Sequence, residues 1–128
     1  MTTNLLTAFL AALLAACAGC SPGPRTAAPV EPEKARAALR TALDAWKAGR
    51  PIESLAGESP PIVAQDFDWM AGGRLVEYQV LGDGTAEDAN LRVRVELTVR
   101  NPHGRTSTKT VAYIVGTDPK LTVFRAME

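Results

Sequence analysis

The chain has 128 residues, which suits a single domain, and its 14 basic residues balance its 14 acidic ones, so the formal net charge is zero. A neutral chain lacks the general electrostatic attraction that draws basic proteins to nucleic acid or to anionic membrane surfaces. We therefore expect no nucleic-acid partner. The only cysteines are Cys17 and Cys20, so no disulfide can support the chain beyond them.

An uncharged apolar run comes first in the chain, with the sequence LLTAFLAALLAA from Leu5 to Ala16. It is too short for a membrane span, which needs about 20 residues, and it has the length typical of the apolar part of a secretory signal peptide. It leads directly into Leu14-Ala15-Ala16-Cys17. This order of one large aliphatic residue, two small residues and a cysteine resembles the lipobox of bacterial lipoproteins. The resemblance implies that residues 1–16 are a cleaved signal peptide and that the Cys17 thiol carries a diacylglyceryl group.

The second cysteine leaves an alternative anchor open. Cleavage could also fall just before Cys20, after the small residues Ala18 and Gly19. Cys17 would then occupy the position of the large aliphatic residue, which it fits poorly, so we prefer Cys17 as the anchor. Redox or metal use of this C-x-x-C spacing is disfavoured, because a thioredoxin-like motif lies inside a folded domain and a zinc site needs about four ligands. We expect no metal and no cofactor.

A membrane-anchored position in the bacterial cell envelope follows from the lipobox resemblance. Some bacteria use an aspartate after the lipidated cysteine to retain a protein in the inner membrane, and Ala18 in that place favours the outer membrane. Residues 17–31 form the predicted lipidated cysteine and a Pro/Ala-rich tether. At about 3.1 Å per residue in a polyproline-like chain, residues 21–32 could hold a domain roughly 30–35 Å from the bilayer.

The predicted domain covers residues 32–128 and begins with a helix over residues 32–48. Pro32 suits the first helical position and Gly49 suits the end. Apolar residues recur at spacings of three and four, which predicts one buried face. They are Ala35, Leu39, Ala42, Leu43 and Trp46.

Strands are predicted for the rest of the domain, after an irregular stretch over residues 50–65. The alternation of Phe67 and Trp69 suggests a short strand or edge segment. Strands follow at residues 74–81, 91–100, 106–115 and 121–126, and the second alternates apolar and polar residues strictly, as in a half-buried antiparallel strand. Val76, Tyr78 and Val80 are expected on one face of the first strand, and Val111, Tyr113 and Val115 inward on the third.

One helix packed on a four-stranded antiparallel meander is the predicted α+β fold. The order of elements over residues 32–126 resembles the cystatin-like and nuclear-transport-factor-two-like folds, in which a curved sheet wraps a helix. That resemblance is topological and implies a space between helix and sheet. Candidate lining residues for a ligand pocket there are Trp46, Phe67, Trp69 and Tyr78.

Few residues in the domain suit catalysis. Asp66 and Asp68 could serve as paired carboxylates or as metal ligands, although such residues more often bond nearby backbone. His103, the only histidine, is expected in an exposed turn. Arg92, Arg94, Arg100 and Lys109 could form a basic stripe on the outer sheet face, but that face lacks the aromatics with which sheets bind RNA.

Three functions remain open at this level. The first is a non-enzymatic protein-interaction or accessory module of the cell envelope, with an envelope protein as its partner. The second is a small-ligand-binding domain with a pocket between helix and sheet. The third is a small hydrolase or isomerase that uses Asp66 or Asp68.

Overall fold

The computed structural model describes residues 26–128. The predicted signal peptide, Cys17, Cys20 and most of the predicted tether lie outside the described residues. Within residues 26–128, no helix is both long enough and apolar enough to cross a membrane.

The domain is α+β, with five strands, two α-helices and one short 3-10 helix. Helix α1 spans Pro32–Lys47, the 3-10 helix spans Ile52–Gly57, and α2 spans Phe67–Met70. The strands are β1 (Ile62–Gln65), β2 (Arg74–Glu87), β3 (Asn90–Arg100), β4 (Thr106–Gly116) and β5 (Leu121–Arg125).

The sheet has the order β1-β5-β4-β3-β2. Strands β2 to β5 form the predicted antiparallel meander, but β1 adds a fifth strand that runs parallel to β5. The expectation of four antiparallel strands is corrected in this respect: the sheet is mixed. Strand β1 precedes the meander in the chain and pairs with its last strand, and α2 connects β1 to β2 at the opposite edge of the sheet.

Helix α1 ends one residue earlier than predicted, and its apolar face packs on the sheet as expected. Pro32 begins it, Glu33 lies in the first turn beside the positive end of the helix dipole, and Lys47 lies in the last turn. All five residues of the predicted apolar face are buried: Ala35, Leu39, Ala42, Leu43 and Trp46.

Strand β3 supplies the centre of the sheet side of the core. Its alternating apolar residues Leu91, Val93, Val95, Leu97 and Val99 are all buried, as the period of two predicts.

Strand β2 departs from the prediction at Val76. A register shift between Leu75 and Glu77 places Leu75 in the core and leaves Val76 49 % exposed. A bulge changes which face the following residues point to. Tyr78 and Val80 still pack against the core.

The predicted short strand at Phe67 and Trp69 is a helix instead. The strand lies just before it, at Ile62–Gln65, and α2 begins at Phe67. Asp66 is the N-cap of α2, and Gly72, with φ of 88°, follows its end. An acidic N-cap and a glycine in the left-handed region are the usual boundary signals of a helix.

The chain enters the domain at one end of the sheet. There the Val30 N–H donates to the Asp88 carbonyl, and the Ala28 N–H donates to the Asp118 carboxylate. The turn between β3 and β4, with His103 exposed as predicted, lies at the opposite end. Strand β1 starts beside Leu121, near the end where the chain enters, and runs toward the opposite end. Helix α2, which follows β1, therefore lies away from the entry end.

Candidate functional site

Titratable side chains meet where α2 packs against β4 and β5. Asp66 and Asp68 contribute two carboxylates, Lys109 and Arg125 two cations, and Tyr113 a phenol. We call these five residues the charge cluster. Their formal charges cancel, so the cluster is neutral as a unit.

Asp66 is held by the start of α2. Its Oδ1 accepts hydrogen bonds from the backbone N–H groups of Asp68 (2.9 Å) and Trp69 (3.1 Å). These are two of the N–H groups that a helix start leaves without an intrahelical partner. The residue is 2 % exposed, so its carboxylate is shielded from water.

The second Asp66 oxygen is also engaged. The Tyr113 hydroxyl donates to Oδ2 at 2.5 Å, and Arg125 Nη1 lies 3.3 Å from Oδ1 and 3.4 Å from Oδ2. Burial of the phenol and the neighbouring Asp66 charge raise the pKa of Tyr113 well above its ordinary value. The hydroxyl therefore stays protonated and keeps its role as donor.

Asp68 lies nearer the surface and faces both cations. Its Oδ2 is 2.8 Å from Arg125 Nη1 and 2.7 Å from Lys109 Nζ. Partial burial alone would raise the pKa of Asp68, but hydrogen bonds and charge from Lys109 and Arg125 outweigh it and lower that pKa.

The geometry of the charge cluster favours a structural role. A general base needs an oxygen that a substrate proton can approach, and both oxygens of Asp66 are already occupied within a buried site. Despite partial burial, the two cations lower the pKa of Asp68, which makes its carboxylate a weak proton acceptor. The arrangement fixes α2 against the sheet, and it gives the hydrolase or isomerase hypothesis no geometric support.

Trp46 and Trp69, two of the predicted pocket residues, stack on each other in the core. Their ring centroids are 5.4 Å apart with planes 6° from parallel. Trp46 Nε1–H donates to the Gly73 carbonyl and Trp69 Nε1–H to that of Arg50. The cavity beside Trp69 and Tyr113 measures about 10 Å³, which is at the lower limit for one water molecule. At this point the space between helix and sheet holds no ligand-sized cavity.

Phe67 and Tyr78, the other two, lie apart from this pair. Phe67 is 52 % exposed, with the Arg125 guanidinium 5.9 Å from its ring centre, and it lines an open cavity of about 470 Å³ with Met127 and Glu128. Tyr78 donates to Asp44 at 2.6 Å, and burial together with Asp44 raises the pKa of Tyr78 to about 12.

A second open feature, missed at the sequence level, runs along β1. Val63 is 43 % exposed and Met70 63 % exposed. They line an open groove of about 400 Å³, which we call the edge groove. Its lining residues are Ile52, Glu53, Ala56, Ile62, Val63, Ala64, Gln65 and Met70. Strand β1 follows two prolines, and its four residues, Ile62–Gln65, show no alternation of apolar and polar residues from which the strand or its groove could have been predicted.

The four residues considered for a basic stripe do not share one face of the sheet. Arg92, Arg94 and Arg100 lie on the outer face of β3, opposite its buried residues, but Lys109 does not. Lys109 pairs with Leu97 across β3 and β4, so it shares the inner face with Tyr113 and reaches Asp68. Arg92 lies on the outer face and forms an ion pair with Glu128. Lys109, Val111 and Tyr113 are alternate residues of one strand, so they lie on the same face. The inward position of Lys109 could therefore have been predicted from the sequence.

No group of three or more metal-ligating side chains occurs among residues 26–128. The chain matches no family model, no curated protein and no solved structure.

Proposed function

We propose that the protein is a lipid-anchored component of the bacterial cell envelope, with Cys17 acylated and the outer membrane favoured. Its domain serves as a non-enzymatic protein-interaction module. The anchor part of the proposal is supported by the lipobox-like sequence Leu14-Ala15-Ala16-Cys17 behind an apolar leader.

The proposed interaction is supported by exposed apolar side chains in one short segment. Val63, Phe67 and Met70 are between 43 % and 63 % exposed within eight consecutive residues. Val63 and Met70 line the same groove, whereas Phe67 lines the separate cavity beside Arg125. Exposed apolar residues that share a groove are typical of interaction surfaces, whereas scattered ones need no explanation. In contrast, the charged groups of the neighbouring cluster are bonded to one another.

A small-ligand-binding function is the second candidate, at a different place from the predicted one. The cavity of about 470 Å³ beside Phe67 has the volume of a typical ligand site. Its lining includes Phe67, Val111 and Met127, which suits a ligand with an apolar body. Its wide opening to solvent favours the protein partner over this alternative.

The anchor is tested by metabolic labelling with radioactive palmitate in cells that express the full chain. We expect Cys17→Ser to lose the label and to leave the membrane fraction, while Cys20→Ser keeps both. Retention of label in Cys17→Ser together with its loss in Cys20→Ser would transfer the anchor to Cys20.

The interaction is tested by crosslinking the lipidated protein in its native membranes, followed by purification and native mass spectrometry. A protein partner in fixed stoichiometry is the expected result. A species carrying only an additional small-molecule mass would favour the ligand-binding candidate instead.

A further inference from the structure

The sheet has three stretches of open edge, and two of them are protected against strand pairing. Strand β2 carries two register shifts and the exposed charges Glu77, Asp83 and Glu87. The half of β4 at Thr106–Val111, which β5 does not reach, carries Lys109 on the inner face. Bulges, edge charges and inward-pointing lysines are the devices by which natural sheets discourage additional strands.

Strand β1 is short, which limits strand pairing by itself, but it carries none of these other devices. Ile62–Gln65 contains no charge, no proline and no register shift. In a parallel pair, every second residue directs both its N–H and its C=O away from the neighbour. Among the described residues, no backbone group hydrogen-bonds to β1 from that outer side.

The edge groove lies along this unprotected strand. Ile52, Ala56 and Met70 provide apolar contacts beside the backbone of β1, and Val63 is exposed on the strand itself. An extended peptide placed there would gain backbone hydrogen bonds from β1 and apolar contacts for alternate side chains, which is the mode of strand addition.

We propose that the edge groove binds an extended segment of a partner protein as a sixth strand of the sheet. This proposal rests on the proposed interaction function and assigns its site. The segment has apolar residues at alternate positions, which pack on Ile52, Val63 and Met70. It also has a basic residue that meets Glu53, the one charged residue of the groove lining.

A second copy of this chain fits the groove less well. Four residues span only about 13 Å, so the strand itself contributes little of the roughly 1,200 Å² that a stable interface buries. A second copy also presents Glu53 in its own groove lining, so it supplies an acid and not a base at that position. The chain's own N-terminal segment is a poor strand, because Pro22 and Pro24 lack the N–H that a ladder needs.

The test uses the full lipidated chain in its native membranes, with a photocrosslinking amino acid in place of Met70. Val63→Lys puts an edge charge on β1. Val76→Lys is the matched control, since Val76 is 49 % exposed on the opposite edge strand. We expect one protein adduct, located in one continuous segment of the partner. Val63→Lys should lower its yield at least tenfold and Val76→Lys should leave it unchanged.

A second measurement identifies the strand itself. A synthetic peptide with the sequence of the crosslinked segment should slow hydrogen–deuterium exchange at the outward amides of Ile62–Gln65 and leave the β2 edge unchanged. Unaltered exchange in β1 on peptide binding would overturn the sixth strand.

The remaining outcomes distinguish failure of the edge groove as the binding site from failure of the proposed interaction function. An equal yield in Val63→Lys would overturn the edge groove and keep the interaction function with a different surface. An adduct with a second copy of this chain would replace the partner by a homodimer. Capture of no protein from Met70, together with none by general crosslinking, would remove both proposals.

Discussion

The segment from Ile62 to Met70 has an inner side and an outer side with opposite properties. On the inner side, Asp66 and Trp69 are 2 % and 9 % exposed and all their side-chain polar atoms have partners. On the outer side, Val63 and Met70 are 43 % and 63 % exposed. Both sides belong to nine consecutive residues.

The inner side attaches the segment to the rest of the domain, and the outer side presents apolar side chains to a partner. The charge cluster fixes α2 to β4 and β5 through side chains that are distant in sequence. The outer apolar residues contribute little to that attachment, because water already covers much of their surface. Substitutions on the inner side should therefore change stability, and those on the outer side should change binding.

The largest effect is expected for Asp66→Ala. It removes the cap of α2 and leaves the Tyr113 hydroxyl without its acceptor, with Arg125 keeping only Asp68. Removal of one partner from a buried pair costs about 3–5 kcal/mol, a large share of the stability of a small domain. Urea unfolding followed by circular dichroism measures the loss.

Asp83→Asn is the control for this substitution, because Asp83 is an exposed carboxylate on β2. It should change the free energy of unfolding by no more than about 0.5 kcal/mol. If Asp66→Ala cost as little as the control, the charge cluster would not hold the segment, and the contrast between its two sides would fail.

A smaller loss is expected for Trp46→Phe, which tests the core role of a residue also considered for a ligand pocket. The substitution removes the donor to the buried Gly73 carbonyl and part of the stack on Trp69. An unsatisfied buried carbonyl costs about 1–3 kcal/mol. The unfolding midpoint in urea should fall accordingly.

Tyr78→Phe is the comparison for Trp46→Phe, since it also removes one donor but from a hydrogen bond that water can reach. We expect a change of about 0.5 kcal/mol or less. Equal effects of the two substitutions would contradict the core role of Trp46.

The sequence predicted those parts of the fold in which local pattern and packing agree. Helix α1 has an apolar face and boundary residues, and β3 alternates over its whole length, so each could be identified without knowledge of its neighbours. Strand β1 has four residues and no alternation, and only its pairing with β5 makes it a strand. Propensity over so short a run is decided by tertiary contacts.

The charge cluster was only half visible in the sequence. Asp66 and Asp68 were recognised as a pair, but Tyr113 and Arg125 lie 47 and 59 positions from Asp66 and come to it only through the sheet. The cap role of Asp66 had a local signal in the glycines after Met70. The exposure of Val76 had none, since a bulge depends on the pairing of two strands.

Both tyrosines of the chain should ionise at a higher pH in the folded domain than in the unfolded chain. Burial and Asp44 raise the pKa of Tyr78 to about 12, and burial and Asp66 raise that of Tyr113 further. Unfolded tyrosine has a pKa of about 10. Because the folded values are higher, this contribution to stability is complete below pH of about 10 and is lost as the pH rises through the folded pKa.

Ultraviolet absorbance of tyrosinate measures this directly. The native protein should show almost no ionisation at a pH of about 10.5, where the chain in guanidinium chloride is more than half ionised. In Tyr78→Phe the remaining Tyr113 should stay protonated until the domain unfolds. Ionisation of that single tyrosine near its ordinary pKa would show that Tyr113 is not bonded to Asp66 in a buried site.

The smallest effect on stability is expected on the outer side of the segment. Met70→Ser replaces a side chain that is 63 % exposed, so the free energy of unfolding should change by no more than about 0.5 kcal/mol. The same substitution removes an apolar contact from the edge groove and should lower the yield of the partner complex in a crosslinked pull-down. A marked loss of stability with unchanged partner yield would reverse the assignment, because Met70 would then belong to the structural side. The two readouts in one variant thus test whether attachment and binding are separated within nine residues.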